Sequence, residues 1–258
     1  MMRIDLYLVN MGYARSRTVA KKLIESDFVS VDGNIINRAS STIDEDTDHD
    51  IQITNEFRYV SRGGYKLEGI LKAGNIDVKG KICIDVGAST GGFTDCLLQN
   101  GAEHVYAVDS GTNQLDPSIA SDPRVTVLEK TNARSIDEQL IPRAVDIIVM
   151  DVSFISQTLI HHTIDKYLLE DGLFISLIKP QFELSRSQIG KGGIVKSKAD
   201  RHSAVKKVVE SCIHYSLFPQ LLTDSAIKGG DGNCEYTAIF GRRLSPDFDL
   251  NNEIKKLS

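Results

Sequence analysis

The chain is poor in cysteine, has no long apolar run, and carries no excess of positive charge. Its four cysteines, Cys83, Cys96, Cys212 and Cys234, form no C-x-x-C pair and have no histidines spaced around them. That pattern excludes the usual zinc spacings and a disulfide framework, so no metal is expected and the thiols read as reduced, as in a cytoplasmic protein. The first residues, MMRIDLYLVNMGYARSR, have no apolar core of the kind a signal peptide needs. No stretch approaches the ~18 apolar residues of a spanning helix. The best run, Val145 to Ile155, is cut by Asp146, Asp151 and Ser153. The net charge of −5 gives no whole-chain field for a polyanion. Internal repeats and low-complexity tracts are also absent.

What is present is distributed unevenly. Residues 1–40 hold six basic residues, Arg3, Arg15, Arg17, Lys21, Lys22 and Arg38, against four acidic ones, whereas residues 44–50 hold five acids and no base. A local basic face can therefore coexist with an acidic total. Four zones follow: an opening module over 1–55, a connector with a first helix over 56–80, a main domain over 81–243, and a polar tail over 244–258 that reads as frayed or as a short surface helix. In the opening module Arg3 to Asn10 reads as a helix ended by Gly12. Ser16 caps a second helix over 17–26 with Val19, Ala20, Leu23 and Ile24 on one side. Phe28 to Val31, a turn at Asp32-Gly33, Asn34 to Ile36, and Ile51 to Thr54 supply a small β-element. On spacing alone the basic residues are equally a solvated helix face.

The main domain opens with KICIDV, a short apolar strand, followed by GASTGGF, a helical pattern, and a second strand from His104 to Val108 that ends in Asp109. Strand, glycine loop, helix, strand and acid, in that order, form a nucleotide-cofactor βαβ unit. Gly87, Gly91 and Gly92 permit a sharp turn and a close backbone approach to a ligand. Asp109, at a strand's carboxyl end, is placed to accept from ribose hydroxyls. A dinucleotide site expects G-x-G-x-x-G, whereas this loop reads D-x-G-x-x-x-G-G with Asp85 at its head. A carboxylate there disfavours a pyrophosphate and favours a cationic amino-acid tail, which S-adenosylmethionine has. Asp146 to Met150 and Leu173 to Ile178 complete a doubly wound sheet, with an antiparallel hairpin, Leu221 to Ser225 and Glu235 to Phe240, at its border; Asp231-Gly232-Asn233 lies in the connection.

Four charges sit at strand ends or just ahead of the domain: Lys66, Asp151, Lys179 and Glu235. Taken singly they are salt bridges; taken together beside a cofactor loop they suit proton transfer from a ribose hydroxyl, a weak acid that must lose its proton as it attacks a methyl group. Residues 184–202, rich in glycine, serine and basic residues, read either as a cover for RNA phosphates or as a plain solvated loop. Phe154 is expected in the core, and Phe182 either in the core or stacked on a base. His161 and His162 are expected on a helix surface. Ala204, Val205, Val208, Val209 and Cys212 form the inward stripe of a helix over 200–216.

Two resemblances sharpen this reading. Arg3, Asp5, Leu8, Gly12, Ser16, Arg17, Ala20, Leu23, Ile24, Val29, Val31, Asp32 and Gly33 together resemble the alpha-L RNA-binding motif, which has a glycine where this chain has Asp27. DVGASTGGFTDCLL, VYAVD, RVTVLEKTNAR, DVSFIS, IKPQFE and GNCEYTAIF look like the TlyA family of ribosomal RNA ribose 2′-O-methyltransferases, also named hemolysins, whose catalytic domain is similar to the FtsJ class. The resemblance implies a Rossmann-like sheet behind a small α+β RNA-binding domain, S-adenosylmethionine as cofactor, and ribosomal RNA or a ribosomal subunit as partner. It implies catalytic roles for Lys66, Asp151, Lys179 and Glu235. It implies cofactor contacts from Asp85, Gly87, Ser89, Gly91, Gly92, Phe93, Asp109, Asn132 and Asp151, with Asn132 at the adenine. Arg3, Arg15, Arg17, Lys21, Lys22 and Arg62 are the RNA-binding candidates. The loop VDSGTNQLDPS lacks the glycine–tyrosine pair expected after Asp109. A membrane-active hemolysin, an RNA-binding protein that holds the cofactor without turnover, and a small-molecule methyltransferase stay open as alternatives.

Overall fold

The computed structural model describes residues 1–14, 16–25, 27–53, 58–229 and 232–258, and the chain divides into two compact units, Met1–Arg58 and Tyr59–Ser258. The first unit runs β1 (Met2–Arg3), α1 (Ile4–Asn10), α2 (Arg17–Glu25), β2 (Val29–Val31), β3 (Asn34–Ile36), β4 (Thr42–Ile43) and β5 (Ile51–Ile53). The Ser16 hydroxyl accepts the Val19 N–H at 3.3 Å and caps α2, as its position predicts. Ala20, Leu23 and Ile24 then bury against Ile4, Leu8 and Val29. β2 lies between β3 and β5, antiparallel to both. Asp32 and Gly33, at φ 51° and 77°, make the two-residue turn, with both central residues left-handed. Thr54, expected in the last strand, lies outside the described residues. The pairing of β1 with β4 was not legible in the sequence. Where the motif has glycine, Asp27 adopts φ 59°, and the Phe28 N–H reaches back to the Leu23 carbonyl at 3.0 Å. Aspartate tolerates the left-handed region better than most side chains, so the helix ends as a glycine would end it.

The second unit runs α3 (Gly63–Ala73), β6 (Ile82–Val86), α4 (Gly92–Gln99), β7 (His104–Val108), α5 (Pro117–Ala120), β8 (Val125–Leu128), β9 (Val145–Met150), α6 (His161–Tyr167), β10 (Leu168–Ile178), α7 (Pro180–Glu183), α8 (Lys198–His214), β11 (Phe218–Asp224), β12 (Tyr236–Gly241) and α9 (Leu250–Lys256). Its sheet has the order β11–β12–β10–β9–β6–β7–β8. The five strands from β8 to β10 are parallel, and β12 and β11 form the antiparallel border expected. β8, VTVL, is an additional edge strand too short and too exposed to register as one by pattern. One face of the sheet packs on α6, α8 and α9, the other on α3 and α4.

Register sets the site. Val86 pairs with Val108 on one side and Met150 on the other, so β6, β7 and β9 end level. The chain leaves β6 for β7 and later returns to β9 on the opposite flank. That reversal opens a crevice at the carboxyl edge, where ligands of doubly wound sheets bind.

Of the two forms expected for the tail, the short helix is the one present: Asp249 caps α9, and Ile254 and Leu257 are buried. Residues 184–197 are irregular and mostly exposed, with Val195 buried, and Ser197 caps α8. One expectation is corrected. His161 is buried rather than on the surface; its Nδ1 meets Ser211 Oγ at 2.8 Å, and burial pushes its pKa down to about 4. The five apolar residues expected to face inward from α8 do so. No helix among the described residues is long and apolar enough to cross a membrane.

Helices α3 and α4 meet through glycines. A Cβ on Gly64 would lie 2.3 Å from Cγ of Tyr59, whose ring is itself buried. Glycine-to-alanine in a helix ordinarily stabilises by roughly 0.5–1 kcal/mol, but overpacking costs about 1–3 kcal/mol. Gly64→Ala is therefore expected to lower the melting temperature by several degrees, measured by calorimetry or circular dichroism.

Candidate active site

The loop after β6 makes the sharp turn its glycines predict, but the close approach they allow is to the protein itself. A Cβ on Gly87 (φ 85°) would lie 2.5 Å from the Asp151 carbonyl oxygen; on Gly91 (φ 91°), 2.9 Å from Leu115; and on Gly92, 2.1 Å from Ser61 Oγ. The loop is thus wedged between the ends of β6 and β9 and the start of α3 before any ligand arrives. Asp109, following β7, fastens it: Oδ2 accepts the Ser89 N–H at 2.8 Å, while Oδ1 accepts the Gly111 N–H of its own loop at 2.7 Å. Each oxygen keeps a second lone pair for another donor.

Two cavities open along this edge. The larger, about 700 Å³, is lined by Asp109, Asn132, Val152, Phe154 and Ile155 among others. The smaller, about 260 Å³, is lined by Lys66, Asp151, Ser153, Lys179, Ser89 and Phe93 among others, and the two share Gly87, Ser89, Asp151 and Ser153. Asn132 lines the larger cavity, and its Oδ1 caps a short turn by accepting the Arg134 N–H at 3.0 Å. Arg62 borders the smaller cavity and donates to the Lys228 carbonyl at 2.9 Å.

The four charges form two pairs. Lys66 Nζ from α3 lies 2.5 Å from Glu235 Oε2 just ahead of β12, both buried. Lys179 Nζ, following β10, lies 2.5 Å from Asp151 Oδ1, following β9. This second contact is an ion contact, since Asp151 Oδ1 has no donor in hydrogen-bonding geometry among the described residues. The directed hydrogen bond of Lys179 goes to Ser153 Oγ at 2.9 Å. Lys66, Asp151 and Lys179 face one cavity; Glu235 stands behind Lys66.

Residues 59–242 match the FtsJ-like methyltransferase family, and residues 2–48 match the S4 domain. The chain belongs to the FtsJ-like methyltransferase family. It is 41% identical over 240 residues to a Brachyspira hyodysenteriae protein named hemolysin A, covering 93% of this chain and 99% of that one. It is 39% identical over 234 residues to the 16S/23S rRNA (cytidine-2′-O)-methyltransferase TlyA of Mycobacterium tuberculosis, covering 91% and 87%. A solved Streptococcus thermophilus structure, provisionally named a hemolysin, superposes with a TM-score of 0.76 at 35% identity, covering 98% of this chain and 94% of that one.

Within the first unit of this FtsJ-like methyltransferase, Asp5 is buried and accepts from Arg3 Nε at 3.0 Å and Arg17 Nη2 at 3.0 Å. The two guanidiniums are held side by side with their outer faces in water. Lys21 pairs with Glu25 at 3.6 Å and Lys22 is exposed; Arg15 lies outside the described residues, as does Asp231. Phe154, expected in the core, is 92% exposed, with a left-handed φ of 64° and its ring 5.1 Å from that of Phe182. Sequence reasoning passed over Ser153, Gln157, Glu183 and Asn233. Ser153, Glu183 and Asn233 lie in motifs whose other members drew the attention, and Gln157 directly follows one of them. Asn233 Oδ1 accepts the Val195 N–H at 3.0 Å, and its Nδ2 donates to the Gly193 carbonyl at 3.1 Å, tying residues 193–195 to the turn before Glu235.

Asp85 lines neither cavity directly. It lies beneath the glycine loop, 0% exposed; Oδ2 accepts the Thr94 hydroxyl at 2.7 Å, and Oδ1 has no donor among the described residues. Burial, with the nearby carboxylates of Asp151 and Asp109, pushes its pKa up from 3.8 to about 7. A raised carboxyl pKa means that the folded chain keeps a proton the unfolded chain has lost. The protein thus loses stability as pH rises from about 4 to about 7, and the loss persists above. Asp85→Asn, which cannot ionise, is expected to gain roughly 2–4 kcal/mol on the parent between pH 5 and pH 8. Denaturant unfolding at the two pH values checks this; an unchanged difference would refute the buried, unserved carboxylate.

Proposed function

We propose that the protein transfers a methyl group from S-adenosylmethionine to a ribose 2′-hydroxyl of ribosomal RNA. The observation that carries this reading is the convergence of two lysine–carboxylate pairs on a cavity beside the glycine loop, continuous with a larger cavity at Asp109. The names borne by relatives support ribosomal RNA as the substrate class, with a cytidine as the nucleotide to test first. The S4 match supports the first unit as the RNA-binding module, its arginine pair on Asp5 suited to a phosphate.

The residues fit the cofactor. Asp109 has lone pairs to spare for ribose hydroxyls, and Asn132, Val152 and Ile155 offer a mixed polar and apolar slot for a purine. Asp85 Oδ1, a buried acceptor without a donor, suits the ammonium of an amino-acid tail. When bound, S-adenosylmethionine supplies an electrophilic methyl group.

This chain supplies position and proton handling. Ser153 and Asp151 aim Lys179 Nζ into the smaller cavity. Lys179, when neutral, is placed to receive the proton that the 2′-hydroxyl loses on taking the methyl group, as the sulfur–carbon bond breaks and leaves a neutral thioether, and Asp151 is placed to stabilise the resulting ammonium. Lys66, fixed by Glu235, holds a donor at the opposite wall to orient the ribose or its phosphate. Positioning and charge placement together account for catalysis without a metal.

The test uses methyl-labelled S-adenosylmethionine and unmodified ribosomal subunits. Label in RNA that renders one phosphodiester resistant to alkali is the expected outcome. Lys179→Ala is expected to reduce the rate by about 10²–10⁴-fold, the usual contribution of a positioned acid or base, while retaining S-adenosylmethionine binding by calorimetry. Binding without any labelled RNA would refute the reading.

A further inference from the structure

Glu183 is a buried charge to which the methyl-transfer scheme assigns no task. It closes α7, just beyond Lys179, and is 5% exposed. Its carboxylate reaches to the neighbouring strand's loop. Oε1 accepts the Gln157 backbone N–H at 2.8 Å, and Oε2 accepts the Ser156 hydroxyl at 2.5 Å. Lys207 of α8 lies 3.4 Å from Oε2 and donates to the Glu183 carbonyl at 2.7 Å. Gln157 is buried too, and its side-chain carbonyl accepts the Ser176 hydroxyl of β10. Ser156 and Gln157 end the same loop that carries Asp151, Ser153 and Phe154.

The near end of that loop is fixed by the sheet, since the Asp151 N–H reaches the Val86 carbonyl at 3.0 Å. Its far end is fixed by Glu183. Between the two anchors stand Ser153, which receives the hydrogen bond of Lys179, and Phe154, whose left-handed backbone is unfavourable for an aromatic residue. A packing role alone does not explain a carboxylate here. Burying an ion pair is often no better than burying apolar side chains of the same volume, whereas two directed bonds to a loop fix its register.

We infer that Glu183 is a positioning residue for methyl transfer: by tying residues 156 and 157 to the segment that carries Lys179, its carboxylate holds Ser153 against the Lys179 ammonium. The inference rests on the reading of Lys179 as the group that meets the ribose hydroxyl.

Two measurements on the full chain test it. The first compares turnover of the parent, Glu183→Ala, Glu183→Gln and Val105→Ala at a temperature well below all four melting points. Val105 is a core residue at the start of β7, the end away from the site, and serves as a stability control. Misplacing a reacting group by about an ångström costs up to about 100-fold, so Glu183→Ala is expected to lower kcat by roughly 10- to 100-fold. Both KM values should stay within about twofold, since the contact matters in the transition state. Glu183→Gln, which keeps an acceptor for Gln157, should recover most of the rate. A Glu183→Ala kcat no lower than that of Val105→Ala overturns the inference.

The second measurement needs no turnover. In a Cys234→Ser background, the thiol introduced by Ser153→Cys faces the Lys179 ammonium, and its thiolate forms at lower pH than a free one. Adding Glu183→Ala should raise the pH midpoint of its alkylation by iodoacetamide; an unchanged midpoint overturns the inference. An inactive parent would refute the methyltransferase reading and with it the role in methyl transfer, whereas the alkylation midpoint separately decides whether Glu183 holds residue 153 against Lys179.

Discussion

Charge held out of water at the carboxyl edge of a parallel sheet is the constraint on which this structure depends. Parallel strands ending level bring the residues that follow them to one line, and here those residues are Asp109, Asp151 and Lys179, with Asp85 beneath. An isolated buried charge is too costly to keep, so each must be paired, hydrogen-bonded or protonated. Asp151 solves this with Lys179, Glu235 with Lys66, and Glu183 with a hydroxyl, a backbone N–H and Lys207. Asp85 has no donor to Oδ1 among the described residues and keeps its proton up to about pH 7. The site is complete in its pairs and leaves an acceptor of Asp85 unserved among the described residues.

The pairs also divide the labour between elements. Asp151 and Lys179 belong to adjacent strands, so the hydrogen-bond ladder between β9 and β10 sets their spacing. Lys66 and Glu235 come from α3 and from the segment before β12, on different sides of the sheet's end. A cavity walled by Lys66, Asp151 and Lys179, with Glu235 behind Lys66, therefore depends on the assembly of the whole domain, and the closely packed glycines of α3 and the loop, Gly64 and Gly92, let those elements come together. The chemistry is local, but the distances that permit it are set by the fold.

The sequence made the order of strands and the charged residues at their ends readable, because apolar runs bounded by Asp109, Asp151 and Lys179 carry both signals at once. It also made the S4-type module readable through Ser16, the Asp32-Gly33 turn and the apolar stripe of α2. It hid β8, whose four residues at a sheet edge include only one that is buried. It hid the pairing of β1 with β4, which rests on two residues in each strand. Phe154 was misread because an aromatic in an apolar stretch is ordinarily core; its exposure follows from a left-handed turn that no local pattern marks. His161 was misread in the opposite sense, because its burial depends on Ser211 and Cys212 of a helix some fifty residues later. Ser153 and Glu183 were present in recognisable motifs, but their partners are set by tertiary contact.

The glycines of the cofactor loop change meaning once the structure is in view. Read from sequence, they make room for a ligand. In the fold they make room for the Asp151 carbonyl, Leu115 and Ser61, and the loop is fastened by the hydrogen bond from the Ser89 N–H to Asp109. Ser89 in that loop and Phe154 across the crevice both hold left-handed backbone at φ 48° and 64°. Such conformations cost of order 1–3 kcal/mol each and persist only where surrounding contacts enforce them. The Asp109 carboxylate supplies those contacts for Ser89, and Glu183, through Ser156 and Gln157, supplies them next to Phe154. Both walls of the crevice are therefore set by acceptors that bind the protein's own backbone. A ligand entering it meets donors and acceptors already in place, so less of its binding free energy is spent on ordering the loops and more is left for holding its reacting groups in line.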